Sequence, residues 1–383
     1  MLKYIRYKTG KLIYGALSGV LAGFVSVYAY LYAALPMQIS AQAGASLGDV
    51  GFSPAVLRQT SRGAEYFLGN IPIKRAEITE TERRYVIPSG KPFGIKMLSD
   101  GVMIIGAAAG SPAEEAGLRE GDVIISVNGA EVSSNEELSA AIRECDNCAE
   151  LVYRRGESCV SVSVATMLSD GVRKIGAWVR DSAAGIGTLT FVEPETGIFG
   201  GLGHAVSDAT TGGAVPFGQG EITAAEIFDI VKGEKGAAGE LCGAMLPEEL
   251  GQLSANTPTG VFGKLDKTNG DRLVTDEKIP AAFRQEVKPG TATILTTIDG
   301  SEPREYSIEI ERINLADLTG SKGMLIKITD AELLEKTGGI VRGMSGSPII
   351  QNGKLAGAVT HVLVGDPTRG YAVFAESMLE KAQ

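Results

Sequence analysis

The C-terminal half of the chain is divided into short β-prone runs, and this pattern most constrains its fold. From about residue 172 onward there is little helical periodicity, and turn residues interrupt the sequence at short intervals. Fifty glycines in 383 residues suit a fold with many turns. Asn352-Gly353 lies between two apolar runs and predicts a tight hairpin. We therefore predict a mainly β chain in which residues 172–383 form one antiparallel barrel or a pair of barrels.

Composition narrows the classes of partner and cofactor. The net charge of −10 argues against a nucleic-acid partner. Four cysteines are too few for a disulfide framework. Cys145-Asp146-Asn147-Cys148 has no second pair to complete a zinc site, so its role is incidental or a local disulfide. We predict no metal and no cofactor.

The N-terminal 35 residues read as a membrane-targeting segment. An uncharged run, Leu12–Leu35, is long enough to cross a bilayer of about 30 Å. Four basic residues precede it, which places the N-terminus in the cytoplasm and the remainder outside: Lys3, Arg6, Lys8 and Lys11. We predict a signal anchor over residues 1–35, with a cleaved signal peptide as the alternative. Residues 36–84 are predicted to be a linker and N-terminal extension, with a short helix over Leu57–Leu68.

Residues 85–167 carry a specific motif. Ala116-Gly117-Leu118 is followed at once by Gly121-Asp122-Val123-Ile124-Ile125-Ser126-Val127-Asn128-Gly129. Ser134 caps a helix through residue 145, and Glu137 completes a capping box. The segment resembles a PDZ domain of the bacterial protease-associated kind.

A peptide groove follows from that resemblance. A strand edge at Phe93–Met97 beside helix 134–145 would accept an extended peptide by β-augmentation. The amides of Phe93, Gly94 and Ile95 would hold a terminal carboxylate, and Leu138 and Ile142 would line the pocket. The alternative is that Ile95, Leu138 and Ile142 are only core residues.

The hexapeptide Gly343-Met344-Ser345-Gly346-Ser347-Pro348 carries the chemistry. A serine between glycines on a tight turn exposes its hydroxyl, and the N–H groups of Gly343 and Ser345 can form an oxyanion hole. The stretch resembles the Gly-Asp-Ser-Gly-Gly-Pro nucleophile turn of chymotrypsin-like serine peptidases, from which Met344 and Ser347 depart.

The base must be one of two histidines. His204 lies in a glycine-rich segment before the serine, in the chain order of chymotrypsin-like folds, and we predict that it is the base. His361 follows the nucleophile hairpin, and we predict a structural or pocket-wall role.

The acid is less defined. Asp330, fifteen residues before Ser345, is the first candidate. Its alternative role is a first-turn charge on a short helix capped by Thr329. Asp208 and Asp366 are rivals for the third position.

The chain as a whole resembles the stage IV sporulation protein B peptidases. The most specific stretch is Ser345–Lys354 together with Gly357–Val362. The resemblance implies that His204, Ser345 and Asp330 are the catalytic residues. It implies a membrane-tethered serine endopeptidase outside the cytoplasm, in the space between the forespore and mother-cell membranes.

The same resemblance implies the partners. The substrate would be the external segment of a membrane-bound inhibitor, whose cleavage allows a late sigma factor to be matured. The family also cleaves itself near its N-terminus, so the chain's own N-terminal segment and a PDZ peptide ligand are further expected partners. Two alternatives stay open: an envelope quality-control peptidase of the high-temperature-requirement type, which places its protease domain first, and a non-enzymatic PDZ scaffold.

Overall fold

The computed structural model describes residues 2–42, 51–52, 55–60, 63–267, 277–315, 317 and 320–382. Within that part the chain forms 25 strands and five helices, so the prediction of a mainly β protein is confirmed. The four cysteines are free, including Cys145 and Cys148 of the CxxC sequence. The local disulfide left open by the sequence is not formed.

The first helix, α1 (Leu2–Ala34), ends against a small sheet. Leu31 and Leu35 are buried there, and the Lys74 ammonium donates to the Leu35 carbonyl oxygen at 2.9 Å. Among the described residues, no helix combines the length and the apolarity needed to cross a membrane. The predicted signal anchor therefore finds no support in the structure.

The described residues between 38 and 81 contain a five-stranded sheet in the order β1-β5-β4-β3-β2. Its strands are β1 (Gln38–Gln42), β2 (Gly51–Phe52), β3 (Ala55–Thr60), β4 (Gly63–Leu68) and β5 (Ile71–Thr81). The helix predicted over Leu57–Leu68 is wrong, because the described residues of this stretch lie in the antiparallel strands β3 and β4. Leu57 and Tyr66 are buried with exposed or half-buried neighbours, which is the period of two that a strand requires. The predicted linker is thus largely a folded unit.

The next elements build the PDZ unit and connect it to the rest of the chain. In chain order they are β6 (Tyr85–Pro88), β7 (Pro92–Ala107), α2 (Pro112–Glu115), β8 (Val123–Val127), β9 (Ala130–Glu131), α3 (Asn135–Arg143), β10 (Cys148–Arg155), β11 (Ser158–Ala165), β12 (Met167–Ser169) and β13 (Val172–Lys174). The predicted cap is confirmed, since Ser134 Oγ accepts the Glu137 N–H at 3.2 Å. The core of this unit packs α3 against β7, β8 and β10.

A first barrel follows. It adds β14 (Ala177–Val192), β15 (Ile198–Gly201), β16 (Phe217–Val231), β17 (Glu240–Thr257) and β18 (Gly260–Leu265), with β19 (Ile279–Pro280) pairing outside it on β6. The strands pair in the order β7-β16-β17-β18-β15-β14, and β14 pairs back onto β7. Six strands therefore close a ring, and β7 belongs both to it and to the PDZ unit.

A second closed barrel forms the C-terminal part. Its elements are β20 (Gly290–Thr296), β21 (Arg304–Ile313), β22 (Met324–Ile328), α4 (Ala331–Thr337), β23 (Pro348–Gln351), β24 (Lys354–Val362), β25 (Arg369–Phe374) and α5 (Ala375–Leu379). The strand order is β20-β21-β22-β25-β24-β23. Asn352 (φ 52°) and Gly353 (φ 71°) form the predicted hairpin turn. Phe191 and Phe262 of the first barrel pack with Leu355 and Val373 of the second, so the two barrels share a core.

Candidate active site

The serine turn lies between α4 and β23 in the second barrel. Gly343 (φ 95°) and Gly346 (φ 98°) both adopt a backbone conformation that favours glycine. A Cβ atom at Gly346 would lie 2.6 Å from the Leu202 nitrogen and closer still to the Thr188 carbonyl oxygen. The turn is therefore pressed against the backbone of the first barrel, two residues from His204.

Two threonines of β14 hold the turn in place. The Thr188 N–H donates to the Ser345 carbonyl oxygen at 2.9 Å, and its hydroxyl donates to the Gly343 carbonyl oxygen at 2.8 Å. The Thr190 hydroxyl donates to the Gly346 carbonyl oxygen at 2.7 Å. Sequence reasoning missed both residues, since alternating threonines are common in strands and carry no signal of a distant partner.

The amides predicted to form the oxyanion hole have a fixed orientation. The Arg342 carbonyl oxygen accepts the Leu241 N–H at 2.9 Å, and the Arg342 N–H donates to the Gly239 carbonyl oxygen at 2.9 Å. Because C=O and N–H of a trans peptide point in opposite directions, the bond to Leu241 turns the Gly343 N–H away from β17. Within the described residues, neither the Gly343 nor the Ser345 amide donates to a protein acceptor. These two backbone N–H groups can therefore donate hydrogen bonds to an oxygen atom of a ligand.

His204 lies at the end of a sharp turn that follows β15. Leu202 (φ 63°) and Gly203 (φ 69°) are both left-handed, and the Leu202 N–H donates to the Thr188 carbonyl oxygen at 3.2 Å. The half-buried His204 ring places Nδ1 2.8 Å from the Ala205 carbonyl oxygen. A carbonyl only accepts, so Nδ1 carries the proton and Nε2 keeps its lone pair. Burial lowers the pKa of His204 below its usual value, against the opposing effect of the Ala205 contact. The imidazole is therefore neutral at pH 7, as a general base must be.

His361 lies beside His204, and the Ser345 hydroxyl lies beside the residue that precedes His361. The His204 and His361 ring centroids are 4.9 Å apart. The Ser345 hydroxyl donates to the Thr360 carbonyl oxygen at 2.7 Å, where a bulge interrupts β24 beside His361. Ser345 and His204 share no hydrogen bond in the described residues, so the hydroxyl must rotate from Thr360 toward the imidazole before reaction.

Asp330 is placed elsewhere. Its carboxylate caps α4: Oδ1 accepts the Leu333 N–H at 3.0 Å, and Oδ2 accepts the Ser307 N–H at 3.4 Å. The N-cap of α4 is thus Asp330. The alternative from the sequence, in which Thr329 caps this helix, is wrong.

The sheet register separates Asp330 from the histidines. His361 pairs with Tyr371, and Tyr371 pairs with Leu325. Asp330 lies five residues beyond Leu325 and past the end of β22 at Ile328, and the three strand residues between them alone span roughly 10 Å. The structure does not bring Asp330 to His204.

The two rival aspartates are also engaged elsewhere. Asp208 pairs with the Arg180 guanidinium and accepts the amides of Thr210 and Thr211. Burial would raise the pKa of Asp208, but these bonds outweigh it and hold the pKa below its usual value. Asp366 bonds to Thr368 and Arg369, which lower its pKa. Among the described residues no carboxylate contacts His204, and the Ala205 carbonyl oxygen occupies the position of a triad acid.

Comparison with known proteins identifies the family. A family model described as SpoIVB peptidase S55 matches residues 171–379, more than half of the chain. The chain belongs to the SpoIVB peptidase S55 family. The matched segment includes His204, Asp330 and Ser345, so the resemblance drawn from the sequence is confirmed. A PDZ-domain model matches residues 103–155, which confirms that unit as well.

More distant similarities are to two curated serine proteases and to one solved protease structure. The chain is 42% identical over 66 residues to "Serine protease HTRA1" of Xenopus tropicalis, covering 17% of this chain and 14% of that protein. It is 33% identical over 69 residues to "Putative serine protease HhoA" of Synechocystis, covering 18% of each. The active-form Rv3671c protease of M. tuberculosis shares 13% identity over 52% of this chain and 74% of that one, with a TM-score of 0.29. The chain therefore spans less than a fifth of these two curated relatives.

In this S55 family member the predicted PDZ groove is not where the sequence placed it. Phe93, Gly94 and Ile95 pair with Gly187, Ile186 and Gly185 of β14 on one side and with Ala224, Thr223 and Ile222 of β16 on the other. Phe93 is 0% exposed and Ile95 2%. The predicted edge is wrong, because these residues form a central strand of the first barrel. The local pattern is the same for an edge and a central strand, and only the later β16 decides between them.

Leu138 and Ile142 are core residues. Each is 4% exposed and packs in the core that includes Ile175, so the core alternative is confirmed over the predicted pocket. Beside α3 runs the stretch 177–181 of β14, of which residues 177–180 pair with residues 103–107 of β7. The Asn135 N–H at the start of α3 donates to the Asp181 carboxylate at 2.7 Å. The strand edge next to α3 is therefore 177–181, which follows α3 in the chain by more than thirty residues.

Proposed function

We propose that the chain is a serine endopeptidase with Ser345 as nucleophile and His204 as general base. One observation carries the proposal: the serine turn is pressed against the turn that leads to His204, since a Cβ atom at Gly346 would lie 2.6 Å from the Leu202 nitrogen. The Gly343 and Ser345 amides, which have no protein acceptor within the described residues, support it further. A serine-directed fluorophosphonate probe tests it by labelling Ser345, followed by peptide mapping. A correctly folded protein that stays unlabelled would favour the non-enzymatic scaffold.

The chemistry follows from the placement of these groups. His204 Nε2 takes the proton of Ser345 as Oγ attacks the scissile carbonyl carbon. The amides of Gly343 and Ser345 bind the resulting oxyanion, and removal of one such donor costs about 3–4 kcal/mol. His204 then returns its proton to the leaving amine, and water hydrolyses the acyl-enzyme by the same steps. The Ala205 carbonyl oxygen keeps Nδ1 protonated throughout.

The role of Asp330 separates two mechanisms. If it serves only as the cap of α4, Asp330→Asn keeps cleavage within a few-fold of wild type, because asparagine caps a helix as well as aspartate does. Asp330→Ala then unfolds with about 1 kcal/mol less free energy but remains active. Urea denaturation and kcat/KM on one peptide measure both variants. A loss of several orders of magnitude in Asp330→Asn, with stability unchanged, would instead make Asp330 the group that orients His204.

We propose further that α1 tethers the peptidase to a membrane, with the barrels outside the cytoplasm. The support is the basic start of the chain and the exposed apolar side chains of the helix, among them Val20, Leu21 and Val25. Fractionation of cells tests it, with Leu21→Arg and Val25→Arg introduced together. Release of that variant into the soluble fraction supports the tether, and equal behaviour of both proteins contradicts it.

Family membership supports a role in sporulation signalling. The proposed substrate is the external segment of a membrane-bound inhibitor, cleaved so that a late sigma factor is matured, with self-cleavage near the N-terminus. In a spore-forming host lacking its own enzyme, the chain should restore sigma-factor processing, and its Ser345→Ala variant should not. Broad degradation of unfolded envelope proteins without sigma-factor processing would point to quality control instead.

The PDZ unit is proposed to bind an extended peptide at the edge 177–181, from a partner or from the chain's own N-terminal segment. Within the described residues this stretch has strand pairing with β7 alone. Hydrogen exchange tests the location: a bound peptide should slow exchange at the amides of 177–181 and leave those of Phe93–Met97 unchanged. The opposite pattern would return the groove to Phe93–Met97.

A further inference from the structure

The fold brings the chain's two histidines into contact. His204 lies on the turn after β15 in the first barrel, and His361 lies on β24 in the second. Their ring centroids are 4.9 Å apart with the planes inclined by 38°. The chain contains no other histidine. The chemistry of catalysis described above uses only one of them.

Both rings can offer a nitrogen to a metal ion. His204 Nδ1 faces the Ala205 carbonyl oxygen at 2.8 Å, which is the usual outer contact of a metal-bound histidine and leaves the Nε2 lone pair available. His361 is exposed, and in the described part of the chain its ring has no hydrogen bond. An ion in solvent can therefore reach a nitrogen of the His361 ring.

The spacing suits one shared ion. With Zn–N bonds of about 2.0–2.1 Å, two imidazoles on a tetrahedral zinc have ring centroids roughly 5 Å apart. The 4.9 Å separation matches this value. Solvent and the nearby Ser345 hydroxyl can complete the coordination. The Lys322 ammonium, which acts on His361, opposes a cation and limits the affinity.

We propose that His204 and His361 form an inhibitory site for a divalent transition metal such as Zn²⁺. The ion coordinates Nε2 of His204 and a ring nitrogen of His361. It thereby occupies the lone pair that must accept the Ser345 proton, and no bond of the protein is broken. Inhibition rests on the proposed peptidase function, whereas binding does not.

Binding is measured first, without any activity. The protein is the Ser345→Ala variant with Cys148→Ser, Cys159→Ser and Cys242→Ser, which removes the accessible thiols as competing ligands. Calorimetric titration with Zn²⁺ should show one equivalent bound, with Mg²⁺ giving no heat. His361→Asn in the same background should weaken binding at least tenfold. Binding that is absent, or unaffected by His361→Asn, overturns the site.

Inhibition is measured second, in the active protein. Zn²⁺ at the concentration that saturates the calorimetric site should stop peptide cleavage, and a chelator should restore it. The His361→Asn variant should need at least tenfold more Zn²⁺ for the same fractional inhibition. For this comparison, each rate is divided by the metal-free rate of the same protein. Equal sensitivity of the two proteins contradicts the proposal. If the protein binds Zn²⁺ through His361 but cleaves no peptide, the metal site is supported and the proposed peptidase function is contradicted.

Discussion

Ser345→Ala will abolish peptide cleavage and self-cleavage while leaving the fold nearly unchanged. The side chain makes one hydrogen bond, to the Thr360 carbonyl oxygen, whose loss costs about 1 kcal/mol. Loss of the nucleophile costs far more, roughly 10⁵–10⁶-fold in kcat. His204→Ala should be as inactive, and the double variant no worse, because the two groups act as one unit. Single-turnover cleavage of a peptide and thermal unfolding measure the two effects.

A neighbouring serine provides the matched control. Ser347 is buried; its hydroxyl donates to the Met344 carbonyl oxygen at 2.7 Å and lies 2.9 Å from the Thr296 hydroxyl, within the second barrel. Ser347→Ala should therefore lower the free energy of unfolding by about 1–3 kcal/mol and keep its activity. Cleavage by purified Ser345→Ala at a normal rate would end the peptidase proposal. If His361→Ala is inactive and His204→Ala is active, the general base is His361 and not His204.

What the sequence predicts correctly here is local. The Gly-Met-Ser-Gly turn, the Asn352-Gly353 hairpin and the Ser134 cap each depend on residues within a few positions of one another. Only two histidines exist, and the glycine-rich segment and the position before the serine favour His204 over His361. A resemblance spread over the whole chain then supplied the family, which the match over residues 171–379 confirms.

What the sequence does not predict depends on distant partners. Phe93 and Ile95 have the pattern of a groove edge, but their second neighbour, β16, begins more than a hundred residues later. The same holds for Thr188 and Thr190, which hold a turn about 155 residues away. The helix predicted over Leu57–Leu68 failed for a different reason, because a short apolar run fits either period. In each case contacts with residues distant in the sequence determine the local structure or role, and a local sequence pattern does not predict those contacts.

The acid illustrates how a resemblance and a structure can point in different directions. Distance from Ser345 along the chain matches Asp330 to the family's aspartate, whereas the structure uses that carboxylate to begin α4. The Ala205 carbonyl oxygen fixes the same tautomer of His204 that an aspartate would. It carries no full charge, so it stabilises the imidazolium less. If Asp330→Asn stays active, the peptidase works as a Ser–His pair with a backbone carbonyl as the group that orients His204.

Gly346→Ala will have the second large effect, and it tests the contact between the barrels. A Cβ atom there meets the backbone at Thr188 and Leu202, which cannot rotate away, and φ is 98°. Overpacking and left-handed strain together should cost about 3–5 kcal/mol. Relief requires the serine turn to move away from the His204 loop, so the serine-directed probe should label the variant slowly or not at all.

Gly353→Ala is the control for backbone strain alone. Its φ of 71° is also left-handed, but nothing lies within 4 Å of the added Cβ atom. It should lose about 1–2 kcal/mol of stability and keep normal labelling and cleavage. Urea denaturation followed by fluorescence, together with the labelling rate, compares the two variants. Equal stability and equal activity of Gly346→Ala and Gly353→Ala would mean that the serine turn does not depend on the first barrel. Ser345 and His204 would then not be held together by the contacts described here, and the base would have to be sought at His361.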